Sequence, residues 1–128
     1  MARILIAEDE ESLRILVARA LSQDGHAVVT ANDGAEAFDV LTREQGAFEL
    51  LLTDIRMPIM DGIALALAAA RDHPNVAILL MTGYADQRER ASNLEALIHG
   101  VITKPFSLAT IRNAVRDAIS AAAARAVH

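Results

Sequence analysis

The sequence predicts a doubly wound α/β domain built on a five-stranded parallel sheet. Three observations predict it: five short apolar runs alternate with five helix-like segments, the runs end abruptly at polar residues, and 53% of the 128 residues are hydrophobic. Such alternation is typical of parallel strands joined by right-handed helical crossovers, with helices covering both faces of the sheet. We expect one domain over residues 1–128, with its core at about residues 2–120 and an Ala-rich helical extension over residues 121–128.

The predicted strands are the five apolar runs. Each contains four to six residues and stops at a charged, hydroxyl-bearing or turn-forming residue, which is the pattern of a strand buried on both faces. In chain order, they lie at residues 3–7, 26–31, 48–53, 76–81 and 100–103.

The predicted helices lie between and after these runs. The first carries apolar residues at helical spacing and stops at Asp24-Gly25, and the second follows a turn or cap at Asn32-Asp33-Gly34. The third is rich in Ala and Leu, the fourth is polar and weakly amphipathic, and the fifth begins at Ser107, a capping residue. They lie at residues 12–23, 35–44, 63–71, 86–98 and 107–124.

Composition excludes several classes of function. The net charge of −5 and the pI near 5.3 argue against direct DNA binding, because proteins that bind the phosphate backbone carry concentrated basic surfaces. The absence of Cys rules out disulfides and thiolate zinc sites, and the four His show no paired spacing for a metal. Because no apolar stretch approaches the roughly 18 residues of a spanning helix, we expect a cytoplasmic protein without membrane contact.

Polar side chains follow four of the five predicted strands. Glu8 and Asp9 follow the first strand, Asp54 the third, Thr82 the fourth and Lys104 the fifth. Ligands of doubly wound sheets bind beyond the carboxyl ends of the strands, so we expect these residues to share one site. Each has an ordinary structural interpretation when taken alone, as a helix-dipole acid, a capping acid, a turn or a solvated loop. Their joint placement at separate strand ends favours a functional site.

The residue types in this predicted site suit phosphoryl transfer. Three neighbouring carboxylates repel one another, and a hard divalent cation such as Mg²⁺ relieves that repulsion. An Asp carboxylate can attack phosphorus when a cation and an ammonium group neutralise the transferring group. We therefore predict Asp54 as the nucleophile, Lys104 as its ammonium partner and Thr82 as a hydrogen-bond donor to a phosphoryl oxygen.

The motifs around these residues resemble the response regulator receiver family over essentially the whole chain. They are Glu8-Asp9, Asp54 with Met57-Pro58 and Met60-Asp61-Gly62, Thr82-Gly83, and Lys104-Pro105-Phe106. The resemblance implies a CheY-like, flavodoxin-like (βα)5 fold with strand order 2-1-3-4-5. It also implies a signalling protein of a two-component phosphorelay and not an enzyme.

Carried over residue by residue, the resemblance implies that Asp54 is the phosphorylated residue. Asp9, Asp54 and the backbone carbonyl of Arg56 would bind Mg²⁺ directly, Glu8 would act through water, and Lys104 would pair with the phosphoryl group. The peptide bond before Pro105 would be cis. The phosphodonor would be a histidine kinase, a histidine phosphotransferase or a small molecule such as acetyl phosphate.

The expected switch residues include one departure from the family. Val101 stands three residues before Lys104, where many receivers have the Tyr or Phe that turns inward on phosphorylation. We expect Thr82 to respond to the phosphoryl group and Tyr84, which is the only tyrosine, to take over part of the signalling.

The output and the alternatives complete these expectations. Residues 81–86 and 100–106 resemble single-domain receivers of alphaproteobacteria that prime the ClpXP protease when unphosphorylated. We therefore expect ClpX as a partner, and we expect the chain to be a monomer. A phosphorelay shuttle and a receiver excised from a larger regulator or hybrid kinase are alternatives. An aspartate-nucleophile phosphatase is disfavoured because Glu8-Asp9-Glu10 lacks two Asp one residue apart, and a flavin module because Gly, Ser and aromatic residues are few.

Overall fold

The computed structural model describes residues 2–83 and 85–127. All five strands pair in parallel in one sheet, whose order is β2-β1-β3-β4-β5, which confirms the predicted fold class. The strands are β1 (Arg3–Ala7), β2 (Ala27–Ala31), β3 (Leu50–Asp54), β4 (Ala77–Thr82) and β5 (Gly100–Thr103). The helices are α1 (Glu11–Gln23), α2 (Gly34–Arg43), α3 (Gly62–Asp72), α4 (Ala85–Ser92) and α5 (Leu108–Val127).

Alternate residues of the strands build two hydrophobic cores, one on each face of the sheet. On one face, residues such as Leu5 and Leu51 pack with buried residues of α2, α3 and α4. On the other face, residues such as Ile4 and Leu52 pack with α1 and α5. Burial on both faces explains why the strands appear in the sequence as uninterrupted apolar runs and not as alternating patterns.

Two helices begin at side-chain caps close to the predicted positions. Asp33 caps α2 by accepting a hydrogen bond of 2.8 Å from the Glu36 amide. The Ser107 hydroxyl accepts a hydrogen bond of 3.0 Å from the Thr110 amide at the start of α5. Both contacts satisfy amide groups that the first turn of a helix leaves without intrahelical partners.

The fourth predicted helix is too long. It ends at Ser92 and not at Ile98, and the chain continues through turns in which the Leu94 amide bonds the Ala91 carbonyl at 2.9 Å. Residues 85–92 have only Ala as apolar residues, whereas Leu94 and Ile98 pack on the core from the turns that follow. Helices in proteins depend mainly on packing, and here that packing favours turns after Ser92. The third strand also begins later than predicted, at Leu50, because Phe48 lies in a tight turn closed by its amide and the Gly46 carbonyl at 2.8 Å.

The loop between β3 and α3, residues 55–61, is held closely against the sheet. The Ile55 amide bonds the Met81 carbonyl at 3.0 Å, and the Gly62 amide bonds the Ile55 carbonyl at 2.7 Å. A Cβ atom on Gly62 would lie 2.0 Å from the backbone oxygen of Asp54. Glycine is therefore required there by close approach of the backbone. Among the described residues, no helix has the length and apolar character needed to cross a membrane.

We expect Gly62→Ala to destabilise the fold by about 3 kcal/mol, because neither the β3 backbone nor the helix start can yield to the added methyl group. Gly100→Ala is the matched control, since its Cβ would meet only Leu79 Cδ2 at an ordinary 3.8 Å. Urea unfolding of both variants measures the difference. Equal midpoints for the two variants would show that the contact at Gly62 is not restrictive.

Candidate functional site

The residues predicted to form a site lie together at the carboxyl edge of the sheet. Glu8 follows β1, Asp54 ends β3 and Lys104 follows β5, so the ends of three strands contribute residues to the site. Lys104 Nζ lies 3.0 Å from Glu8 Oε1 and 3.1 Å from Asp54 Oδ2. One ammonium group therefore joins two carboxylates that lie 46 positions apart in the sequence.

The acidic residues are close enough to share a cation. Glu8, Asp9 and Asp54 each offer a carboxylate oxygen, and these oxygens all lie within 4.8 Å of one another. Glu8 and Asp54 are buried, whereas Asp9 is exposed. A cluster of carboxylate oxygens, open to solvent on one side, is the type of donor set that Mg²⁺ binds together with water molecules. The donor chemistry therefore fits this ion.

Backbone amides fix the orientation of the two buried carboxylates. The Ile55 amide donates a 3.0 Å hydrogen bond to Asp54 Oδ1, and the Glu10 amide donates one of 3.2 Å to Glu8 Oε2. In each carboxylate the second oxygen contacts Lys104. Arg14 also holds the loop after β1, because its Nη1 donates to the Glu8 carbonyl at 2.9 Å. No sequence pattern indicates this contact of Arg14.

An open cavity of about 540 Å³ lies over this cluster. It is lined by Glu8, Asp9, Glu10, Asp54, Arg56, Gly83, Lys104 and Pro105. The volume is several times the roughly 30 Å³ that one water molecule occupies in the liquid, so a phosphoryl group with a hydrated cation has room. Glu10 and Gly83 were not predicted as site residues, although both directly neighbour residues that were.

Burial and charge shift the titration of the central pair. Removal from water and, to a smaller extent, the nearby Asp54 charge raise the pKa of the Glu8 carboxyl from 4.5 to about 7, against the opposing effects of Lys104 and the Glu10 amide. Burial alone would lower the pKa of Lys104, but the charges of Asp54 and Glu8 outweigh burial and raise it. Lys104 is therefore a permanent cation at neutral pH, and Glu8 is poised between two protonation states.

The remaining predicted residues occupy different positions around the cluster. Thr82 ends β4 with a buried side chain, and its carbonyl accepts a 2.7 Å hydrogen bond from the Lys104 amide. The Lys104–Pro105 peptide bond is cis. Val101 is partly buried against the core beneath α4. Tyr84 lies outside the described residues.

Beside α4, a second cavity separates this helix from β5. Its volume is about 320 Å³, and Val101 lies in its wall. The helix contributes one buried apolar side chain, Ala91, to the core among its described residues. Two arginines connect it to the rest of the domain, since Arg90 Nη2 pairs with Asp61 Oδ2 at 3.0 Å and Arg88 donates to the Thr103 hydroxyl. Polar contacts therefore provide much of the visible attachment of α4.

Comparison with known proteins identifies relatives over nearly the whole chain. The family model for the response regulator receiver domain matches residues 4–116. The response regulator receiver protein CpdR of Brucella abortus is 38% identical over 122 residues, covering 95% of this chain and 100% of that protein. Sporulation initiation phosphotransferase F of Bacillus subtilis is 33% identical, covering 89% of this chain and 90% of that protein.

A solved structure agrees with the fold. The response regulator protein TrrA of Thermotoga maritima, crystallised in complex with Mg²⁺ and BeF, has a TM-score of 0.80 and 27% identity. The match covers 91% of this chain and 98% of that chain. The match of the family model over residues 4–116 and the similarity to CpdR confirm the family resemblance inferred from the motifs.

In the absence of divalent cations, we expect stability to fall as the pH rises from about 4.5 to about 7. Glu8 has a folded-state pKa of about 7 against 4.5 when unfolded, so the folded chain binds more protons in this window. The contribution of Glu8 to folding stability is complete below its pKa in the unfolded chain. It is lost as the pH rises through its pKa in the folded chain. Urea unfolding in EDTA should show that the free energy of unfolding decreases by on the order of 2 kcal/mol across this pH window.

Glu8→Gln is the variant that tests this assignment. Because glutamine does not titrate, most of the pH dependence between pH 5 and pH 8 should disappear in that variant. An unchanged pH profile in Glu8→Gln would assign the effect to another group.

Proposed function

The chain belongs to the response regulator receiver family, and on that premise we propose that it accepts a phosphoryl group on Asp54 and thereby switches its binding to a partner. The observation that carries the proposal is the bridge that Lys104 forms between Glu8 and Asp54, at 3.0 Å and 3.1 Å. A nucleophilic carboxylate beside a fixed ammonium group and two further acids is the arrangement that aspartyl phosphorylation requires.

Asp54 acts as the nucleophile in the proposed reaction. A carboxylate oxygen of Asp54 forms a bond to phosphorus while the bond from phosphorus to the leaving group of the donor breaks. Lys104 releases its contact with Asp54 and pairs with an oxygen of the incoming phosphoryl group. Its side chain is 24% exposed, so it is accessible from the cavity in which that group arrives.

The proposed cation site uses the same cluster. Asp9, Asp54 and the backbone carbonyl of Arg56 bind Mg²⁺, and Glu8 contributes through water. When bound, Mg²⁺ supplies the positive charge that neutralises the transferring phosphoryl oxygens. The mutual proximity of the three carboxylates and the presence of Arg56 in the cavity wall support this set.

The proposed response passes from the phosphoryl group to α4 and β5. The Thr82 hydroxyl donates a hydrogen bond to a phosphoryl oxygen, and Val101 and Tyr84 adjust the surface beyond it. The cavity between α4 and β5 supports a movable helix, because a space of about 320 Å³ permits repacking. Arg88 and Arg90, whose polar contacts hold α4, are the residues whose partners would change.

We propose ClpX as the output partner, bound by the unphosphorylated form. Support comes from the resemblance of residues 81–86 and 100–106 to single-domain receivers that prime ClpXP, together with the match to CpdR over the whole of that protein. A histidine kinase or histidine phosphotransferase is the proposed phosphodonor. The second candidate function is a phosphorelay shuttle, favoured by the match to Sporulation initiation phosphotransferase F over 90% of that protein.

Incubation with acetyl phosphate and Mg²⁺ should add one phosphoryl group to the chain, and the addition should be lost in Asp54→Asn. Phosphate-affinity electrophoresis and intact mass measure the product. Asp117→Asn, an exposed acid on α5, is the matched control and should be modified like the wild type. EDTA should prevent the reaction. Full modification of Asp54→Asn would refute the assignment of the acceptor.

Immobilised ClpX should retain the unphosphorylated chain about fivefold or more over the form treated with Mg²⁺ and beryllofluoride, which mimics the phosphoryl group. Asp54→Asn lacks the acceptor carboxylate and should be retained equally with and without beryllofluoride. Equal retention of both wild-type forms would contradict ClpX as the switched partner. Rapid return of the phosphoryl group to a histidine phosphotransferase would then favour the shuttle.

A further inference from the structure

Ile59 combines two unfavourable features in the loop between β3 and α3. Its φ angle is +70°, in the left-handed region, which is a genuine outlier for a β-branched residue. Its side chain is also 84% exposed, more than any other exposed large hydrophobic residue in the described part of the chain. Glycine or asparagine would meet the backbone geometry with less strain and would expose no large apolar surface.

The neighbours of Ile59 determine this geometry. Met57 is only 8% exposed and Met60 packs on the core, so residues on both sides of Ile59 are directed inward. The Met60 amide bonds the Pro58 carbonyl at 2.7 Å, which closes a tight turn around Ile59. On the far side, the Cα of Gly34 approaches so closely that a Cβ there would lie 2.0 Å from the Met60 oxygen. The loop therefore presents Ile59 outward on a rigid support.

The position of Ile59 relates it to the phosphoacceptor. It lies five positions after Asp54, in the same short loop as Arg56, which lines the cavity over Asp54. A small phosphodonor enters this open cavity without contacting the outer side of the loop. A protein that delivers a phosphoryl group from its own side chain must instead approach the rim closely enough to cover the loop. An apolar side chain on that rim gains contact only with the protein donor.

We propose that Ile59 is a docking contact for the protein that carries the phosphohistidine. This contact accounts for a strained backbone and an exposed apolar side chain at this position. The inference rests on the proposed function of Asp54. In the transfer, the bond between phosphorus and the imidazole nitrogen breaks and the bond to the Asp54 carboxylate forms. The partner offers an apolar surface beside its phosphohistidine, against which Ile59 packs.

The test compares a protein donor with a small donor. Purified histidine kinases and phosphotransferases encoded in the same genome are phosphorylated, and the one that transfers fastest to the wild-type chain is taken as the donor. Ile59→Asn and Ile59→Gly should raise KM for the chain about tenfold, because covering one isoleucine side chain accounts for about that change in affinity. Phosphorylation by acetyl phosphate should be unchanged, and the midpoint of thermal unfolding should rise by about 5 °C as strain is relieved.

Leu97→Asn is the matched control. Leu97 is 48% exposed in a turn that precedes β5, at the opposite edge of the sheet from Asp54, and its loss should leave both reactions unchanged. Unchanged KM in the Ile59 variants, or a fall in their thermal stability, overturns the inference. The absence of any protein donor that transfers faster than acetyl phosphate overturns it as well. Failure of the proposed function is distinguished by loss of the acetyl phosphate reaction in the wild type.

Discussion

The contact of one ammonium group with two buried carboxylates is the interaction on which the site depends. Lys104 reaches Glu8 and Asp54 only because β1, β3 and β5 run in the same direction and end at one edge of the sheet. A buried carboxylate without a partner would be strongly disfavoured, so the contact with the lysine stabilises the folded state. The same contact leaves Glu8 with a raised pKa, because one lysine does not compensate for the burial of Glu8 and the charge of Asp54 together.

The rigid surroundings of Asp54 follow from close backbone contacts. Gly62 brings the start of α3 directly against the Asp54 carbonyl, and amides of the loop bond to β4 and to Ile55. These contacts hold Asp54 and the loop behind it in one arrangement. By contrast, the described side chains of α4 attach it through arginine contacts and one buried alanine. The domain thus combines a rigidly held acidic cluster with a helix whose described side chains bury little apolar surface. Elements with few buried apolar contacts are the ones that open or move most readily.

Much of the fold and of the cluster could be predicted because both follow from local patterns. Apolar runs define buried strands, and the residue after each run must lie at the ligand-binding edge. These two rules predict that Glu8, Asp54 and Lys104 lie together. The end of α4 could not be predicted, since its polar sequence fits a helix or turns and tertiary packing decides between them. The left-handed conformation of Ile59 also had no sequence signal, because it results from anchoring of Met57 and Met60 on either side.

The charges of the site imply that the proposed cation binding and the proposed phosphorylation would reinforce each other. Three ionised carboxylates and one lysine leave two negative charges, which a single divalent cation balances. The proposed phosphorylation would replace the single charge of Asp54 with a phosphoryl group of about −1.5 to −2, so the site would become more negative. The phosphorylated site would then attract a cation and Lys104 more strongly, and by reciprocity a bound cation would favour phosphorylation to the same extent. Glu8 adds to this coupling, because a nearby cation favours its charged form and opposes the effect of burial on its pKa.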